Sequence, residues 1–405
     1  MSGPLKRAAL AIVALAMLGL VACGDDDDSS SSTTTEGGGS SGSSAELTPT
    51  SFTSDFSAME QLKDLAAKGK GKIGVLLPDT TSSARYESFD RPYLEQAFEA
   101  AGLSKDDYTI DNAQGSASTM QTQAEAAITD GASVLLVDAI DSGSGAAIEA
   151  NAESKGVKVI DYDRLVKGGT SDRVYVSFDN VNVGKQIGDG AVECITKWKV
   201  QSPNVLVMSG DPTDNNAKLF AEGYNGVLKK YFDDGSYTNA GEPAGTWTPS
   251  EAATTFEQAY TDDPKINAAI TPNDDNANAV IAQLQAKNIP ANTFPTTGQD
   301  ASLVGLQNIL KGYQCGTVYK PIYLEAQAAA AIALYMRAGE DPPSSLVNGT
   351  TKDDEADADV DSVLLGPTWV TTENMADTVV KDGAVKVEEL CIPALQAACQ
   401  AAGIS

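Results

Sequence analysis

Histidine is missing from all 405 residues. Its absence excludes an imidazole general base, a Ser-His-Asp triad and any zinc site built on imidazole. Positive charge is scarce too: 28 Lys plus Arg stand against 56 Asp plus Glu, a formal charge of -28. Nucleic acid and anionic membrane surfaces would repel such a chain, so neither is expected as a partner. Beyond the leader, no apolar run is long enough to span a bilayer. What remains is 42% hydrophobic and 21% charged, an ordinary soluble composition. The length is too great for one core and predicts two domains once the leader is set aside.

Cysteine is sparse, with five in all and no C-x-x-C spacing, which argues against a metal site. Four of them, at 194, 315, 391 and 399, make two disulfides in an exported chain, for which three pairings exist. Cys391 and Cys399 bracket a short amphipathic segment and are close enough to pair locally. Cys194 with Cys315 is then the remainder. Free buried thiols are the alternative.

The fifth cysteine closes the leader. Lys6 and Arg7 precede an apolar stretch from Ala8 to Ala22, which ends Leu20-Val21-Ala22-Cys23. This reads as an export signal over 1–23, not a spanning helix. Its ending has the form of a bacterial lipobox, in which Cys23 becomes the lipid-modified N-terminus. Asp25 to Asp28 and a Ser, Thr and Gly stretch follow. Such a segment buries no apolar surface, and the expectation is a disordered tether over 24–60. The implied location is outside the cytoplasm, anchored to the membrane through Cys23.

From Lys72 onward, short β-branched strands alternate with amphipathic helices that close on glycine, as at Gly102 and Gly131. The pattern restarts near Val174. Two α/β lobes with parallel sheets follow from this alternation. The acidic run 353–361 reads as a solvated loop. A calcium loop is the alternative, although the glycine and closing glutamate of an EF-hand are absent. A strand over 363–370 and a helical tail over 387–405 complete the chain.

The stretch Val157-Lys158-Val159-Ile160-Asp161-Tyr162-Asp163-Arg164 is a strand that breaks off in an acid and a base. Ligands in open α/β sheets gather beyond the carboxyl ends of strands. Arg85-Tyr86, Asp214-Asn215-Asn216, Asn273-Asp274, Gln299-Asp300 and Lys320 also fall at strand ends or in the loops beyond them. Sugar hydroxyls both donate and accept, so carboxylates, amides and cations together suit a neutral polyol. Trp247, with Tyr86 as its partner, supplies a flat ring for the C–H face of a pyranose. Each position has a structural alternative: Asp163-Arg164 as a local ion pair, Asp214, Asn273 or Gln299-Asp300 as helix caps, Trp247 as core. Recurrence at ligand-facing ends in both halves favours a site.

With Val159-Ile160-Asp161-Tyr162-Asp163-Arg164, Asp214-Asn215-Asn216-Ala217-Lys218-Leu219-Phe220, Gly298-Gln299-Asp300-Ala301 and Thr317-Val318-Tyr319-Lys320-Pro321, the chain resembles the periplasmic sugar-binding proteins of ABC importers. Within them it is most similar to the D-xylose-binding proteins. Tyr86 departs from the tryptophan that xylose binders tend to carry. The resemblance implies the type I periplasmic binding protein fold: two doubly wound α/β lobes joined by three crossings. The first lobe would comprise 72–177 and 321–350, the second 178–318 and 360–385, with 387–405 as a cysteine-bracketed tail. It also implies ligand contacts from Arg85, Asp163 and Arg164 on one lobe and Asn215 or Asn216, Asn273 and Asp300 on the other. Lys320 would lie near the hinge, and Trp247 and Tyr86 would stack on the ring. The partners implied are a monosaccharide and a membrane permease. The protein would act as a monomer without cofactor, metal or catalysis.

Two rivals belong to other classes. A glycosidase could use Asp163 and Asp300 as its carboxylate pair, but the neighbouring arginine lowers the acid's pKa and spoils it as a proton donor. A sugar sensor acting on a membrane receptor would need the same cleft and a different docking partner.

Overall fold

The computed structural model describes residues 47–404; the leader, Cys23 and most of the Ser/Gly segment lie outside the described residues. The expected tether over 24–60 is too long. Leu47, Phe52, Phe56 and Met59 are buried, Phe56 packs 5.9 Å from the Tyr93 ring, and Gln327 donates to the Thr53 carbonyl at 2.9 Å. Three large apolar side chains within eight positions are enough to dock a segment that composition alone reads as floppy.

Two short helices, α1 (Ser57–Glu60) and α2 (Lys63–Ala66), lead into strand β1 (Lys72–Leu77). Helix α3 (Arg91–Ala100), β2 (Tyr108–Asn112), α4 (Ala117–Thr129), β3 (Ala132–Val137), α5 (Ser142–Ser154), β4 (Lys158–Tyr162) and β5 (Arg173–Phe178) follow. The chain then builds a second lobe from α6 (Asn180–Lys197), β6 (Asn204–Val207), α7 (Asn215–Asp233), β7 (Thr238–Gly241), α8 (Pro249–Asp262), β8 (Ala268–Ile270), α9 (Asp274–Ala286), α10 (Leu303–Lys311) and β9 (Thr317–Tyr319). It returns through α11 (Ile322–Ala338), β10 (Gly349–Asp353) and β11 (Ala358–Leu365). It ends with β12 (Thr368–Val370), α12 (Val387–Leu390) and α13 (Gln396–Ala401). Among the described residues no helix is long and apolar enough to cross a membrane.

The first sheet runs β10-β11-β5-β4-β3-β1-β2 and is parallel except for β10. Its central strands are buried on both faces, which is why β3 reads as the continuous run Ala-Ser-Val-Leu-Leu-Val. In the second lobe β7-β6-β8 are parallel and β9 pairs antiparallel with β12. Residues 296 and 299 make only single bridges, Thr296 to Ala269 and Gln299 to Val318. The Thr271 and Thr297 hydroxyls intercept the backbone there: Thr271 N donates to Thr297 Oγ1 at 2.9 Å, and Thr297 Oγ1 donates to the Thr271 carbonyl at 3.0 Å.

The second lobe does not begin again at residue 360. β11 lies in the first sheet, with Ser362 to Leu365 registered against Tyr175 to Phe178. The third crossing is Gly366-Pro367, between β11 and β12, where a proline without an N–H stops the ladder. The run 353–361 is solvated only in part: 354–357 form the exposed turn of the β10–β11 hairpin, while Asp353 and Val360 are buried in its strands. Asp353 is buried and accepts from Arg173 Nη2 at 2.7 Å. A buried guanidinium needs carboxylates around it, and Arg173 has Asp161 at 3.0 Å and Glu149 at 3.7 Å as well.

Disulfides join Cys194 to Cys315 and Cys391 to Cys399. The tail is two short helices instead of one, because Pro393 disfavours a helical residue before it. Leu390, Leu395, Cys399 and Ile404 pack with Leu306, Ile309, Met375 and Val379, so the tail is part of the second lobe's core.

Candidate functional site

The residues just past β4 sit at the middle of the molecule. Asp163 adopts a left-handed φ of 59°, which costs free energy for a residue with a side chain. Its carbonyl offsets that strain by accepting three donors: Ser177 Oγ at 2.8 Å, Asn216 Nδ2 at 2.9 Å and Tyr175 Oη at 3.0 Å. Two of these come from β5 and one from the start of α7 in the other lobe. The twist aims the carboxylate at Arg85 Nη1, 2.9 Å away, and Lys320 Nζ, 3.4 Å away. Burial pushes the Asp163 carboxyl up, but the charges of Arg85, Lys320 and Arg164 outweigh it and hold the group well below the usual range.

Arg85 is saturated by carboxylates. Its Nε and Nη2 donate to Asp90 at 2.9 and 2.6 Å, and Nη2 also reaches Glu325 at 2.9 Å. Arg164 is held similarly. It donates to the Tyr86 hydroxyl at 2.9 Å and the Ala139 carbonyl at 3.1 Å, and its Nε lies 3.3 Å from Asp214. Both guanidinium carbons lie over the Tyr86 ring, 5.4 and 5.8 Å from its centroid. Tyr86 is therefore engaged by two arginines and lines the same cavity as Trp247.

From the second lobe, the N-termini of α7 and α9 face the same space. Asp214 caps α7, accepting from Asn216 N at 2.8 Å, and its other oxygen takes the Trp247 indole N–H at 2.9 Å. Asp214 thus fills the capping and site readings at once. A side chain at Gly210 would strike the Trp247 ring at 2.2 Å, so this glycine gives the indole its seat. Asn273 caps α9 and donates to the Ser82 carbonyl at 3.1 Å. Asp300 and Ala301 follow with φ of 94° and 53°, a turn that Asp274 braces by accepting from Ser302 N at 2.7 Å.

These groups surround about 300 Å³ of non-atom space, partly open to solvent and lined by Ser82, Ser83, Arg85, Tyr86, Asp163, Arg164, Asp214, Asn216, Phe220, Trp247, Asn273, Gln299, Asp300 and Lys320. Nine of the ten expected ligand residues line it. The exception is Asn215, which is buried but outside the lining: successive helical positions point about 100° apart, so only Asn216 turns inward. Ser82, Ser83 and Phe220 carry no signal at a strand end. Asp214 and Gln299 do, each beside a residue already singled out.

The cleft is shut by direct bonds between lobes. Ser83 Oγ donates to Asp300 at 3.0 Å, Ala84 N to Asp275 at 3.2 Å and Asn273 to Ser82 at 3.1 Å. Three cations (Arg85, Arg164, Lys320) and three carboxylates (Asp163, Asp214, Asp300) share the lining. Asp300 Oδ1 and Gln299 Oε1 are buried without a hydrogen-bond partner, and Lys320 Nζ is only loosely held, 3.6 Å from Asp300. Such groups are costly to leave unsatisfied and call for a ligand with hydroxyls.

Two α/β lobes closed over a charge-balanced polar cavity define a solute-binding protein of the clamshell type. The chain belongs to the periplasmic binding protein family, whose domain profile matches residues 73–341; it is a binding protein and not an enzyme. It is 34% identical over 334 residues to the D-xylose-binding periplasmic protein of Escherichia coli (strain K12), covering 81% of this chain and 96% of that one. It is 29% identical over 331 residues to a multiple sugar-binding periplasmic protein of Azospirillum brasilense, covering 78% and 90%. Among solved structures, a carbohydrate transporter solute-binding protein from Chloroflexus aurantiacus in complex with D-glucose superposes with a TM-score of 0.69 at 25% identity, covering 78% of this chain and 97% of that one.

Proposed function

We propose that the protein captures a neutral aldose, D-xylose or a close relative, in the cleft between its lobes and delivers it to an ABC permease. The observation that carries this reading is the buried, unpartnered acceptor pair on Gln299 and Asp300 beside Lys320, in a cavity of no net charge. Sugar hydroxyls satisfy such acceptors, and Trp247 offers its indole to the C–H face. The binding of D-xylose by the Escherichia coli relative, and of D-glucose by the Chloroflexus structure, supports the sugar class.

Closure is the mechanism. Asp163, Arg85 and Arg164 stand on one lobe and Asp214, Asn216, Asn273 and Asp300 on the other, so only the shut form brings all of them to one ligand. A ligand shifts a two-state equilibrium by its differential contact with the two forms. Micromolar affinity corresponds to about -8.2 kcal/mol, within reach of a few charge-assisted hydrogen bonds of about 1.5–3 kcal/mol each. The lipobox at Cys23 supports a lipid tether that keeps the protein at the outer face of the membrane.

Calorimetry with a panel of aldopentoses and aldohexoses tests the reading. We expect one sugar per cleft and at least a tenfold loss on Asp300→Ala. Absence of binding to every sugar in the panel sinks it. Labelled fatty acid incorporated by the wild type and not by Cys23→Ser checks the anchor.

A further inference from the structure

The second lobe contains another cavity, which shares no lining residue with the cleft. Its empty volume is about 490 Å³, and its lining includes Trp198, Trp369, Gln314, Glu193, Thr371 and the Cys194–Cys315 disulfide. By the same measure it is larger than the cleft cavity. Trp198 ends α6, and Trp369 stands on β12, one of the strands next to a lobe crossing.

The Trp369 indole is firmly seated. A side chain at Gly190 would meet it at 2.2 Å and one at Gly316 at 2.5 Å, so two glycines form the slot for its ring. Neither indole N–H of Trp198 or Trp369 makes a hydrogen bond among the described residues. Gln314 is 1% exposed. Its Nε2 donates to Asp274 at 2.8 Å and to the Gly316 carbonyl at 3.2 Å. That arrangement fixes the amide, because the reverse would set an oxygen against a carboxylate. Gln314 Oε1 is left buried with no donor.

We propose that this cavity is a second carbohydrate-binding site, with Gln314 Oε1 accepting from a hydroxyl and the two indoles contacting the C–H surface of the ring. Two flat apolar rings beside an orphaned acceptor, a threonine hydroxyl, the Glu193 carboxylate and Lys197, itself paired with Glu373 at 2.6 Å, are the chemistry of a polyhydroxylated ring and not of a fatty ligand. The site also communicates with the cleft. Gln314 holds Asp274, and Asp274 holds Ser302 N at 2.7 Å, two positions beyond Asp300. A ligand that draws on Gln314 therefore tugs the turn that carries Asp300, and coupling of this kind acts equally in both directions.

The chain has three tryptophans: Trp247 lines the cleft, and Trp198 and Trp369 both line the second cavity. In the full-length Trp247→Phe, Asp163→Ala double variant the two remaining indoles both line the second cavity, and the cleft has lost two of its lining side chains. D-xylose and D-glucose are titrated into it to about 100 mM, a hundredfold above a millimolar dissociation constant, with stoichiometry read by equilibrium dialysis. We expect a saturable change in indole emission with one sugar bound, abolished by adding Trp369→Ala. If Trp369→Ala fails to fold by circular dichroism, adding Thr371→Val should weaken binding several-fold. Flat emission with no bound sugar overturns the proposal. Failure of the wild type to bind any sugar tightly, with the emission change retained in the double variant, defeats the cleft reading and leaves this site standing.

Discussion

The side-chain amide of Asn216 donates to the backbone carbonyl of Asp163 across the cleft, at 2.9 Å. One bond thus ties the second lobe to the strained residue at the centre of the first. Asn216→Ala removes this bond between the lobes. Sugar affinity should fall roughly tenfold, in line with about 1–3 kcal/mol for an unsatisfied buried partner. Stopped-flow fluorescence should place most of the loss in the off-rate. An unchanged off-rate would mean that this bond does not contribute to closure.

Asp163→Ala acts differently, because it leaves Arg85 and Lys320 facing a void. Breaking a buried ion pair costs about 3–5 kcal/mol, so denaturant unfolding should show a lower midpoint in addition to lost binding. Asn216→Ala should move the midpoint much less. Equal effects of the two substitutions on stability would contradict the charge network described for Asp163.

Several buried carboxyls are pushed up in the fold, Glu325 and Asp274 among them. Burial pushes Glu325 up to about 8, with the charges of Asp163 and Asp90 adding to it against Arg85 and Lys320. Burial, then repulsion from Asp300, pushes Asp274 up to about 7. Because these pKa values are raised in the folded state, the native form holds more protons than the unfolded form between about pH 4 and pH 8. Their contribution therefore falls as pH rises through that window. Asp163, lowered by its cations, has the opposite sign: its contribution is present at neutral pH and is lost in acid. Glu325→Gln should flatten the loss of stability between pH 5 and pH 8, measured by urea unfolding at each pH. A slope equal to that of the wild type would refute the assignment.

The two disulfides should differ in worth. Cys194 and Cys315 are 121 residues apart, whereas Cys391 and Cys399 are separated by 8. In the chain-entropy account a link across about a hundred residues contributes roughly 4.7 kcal/mol, and short links less. Cys194→Ser with Cys315→Ser should lower the melting temperature more than Cys391→Ser with Cys399→Ser. The reverse order would point to packing of the tail as the larger effect.

Much of the site was legible in the chain itself, and the reason is topological. Parallel strands deliver their carboxyl ends to one edge, so polar residues at those ends converge without knowledge of the distances. Asp163, Arg164, Asn273 and Asp300 were found by that rule. Ser82 and Ser83 were not, since they lie in a loop that follows no periodicity and meet the other lobe only through long-range contacts, Ser83 with Asp300 and Ser82 with Asn273. Asn215 misled because adjacent helical residues cannot be told apart until the helix is oriented.

Alternating short strands and capped helices settled the layers, because burying a parallel sheet on both faces demands that order of apolar segments. The acid-base pairs at strand ends settled the chemistry on offer, because their positions follow from local pattern alone. Other features depended on long-range contact. The β10–β11 hairpin joined the first sheet because Arg173 needed Asp353. Asp163 could hold a left-handed backbone because three donors from two lobes met its carbonyl. Such pairings depend on where distant parts of the chain come to rest, and no local window of residues contains that information.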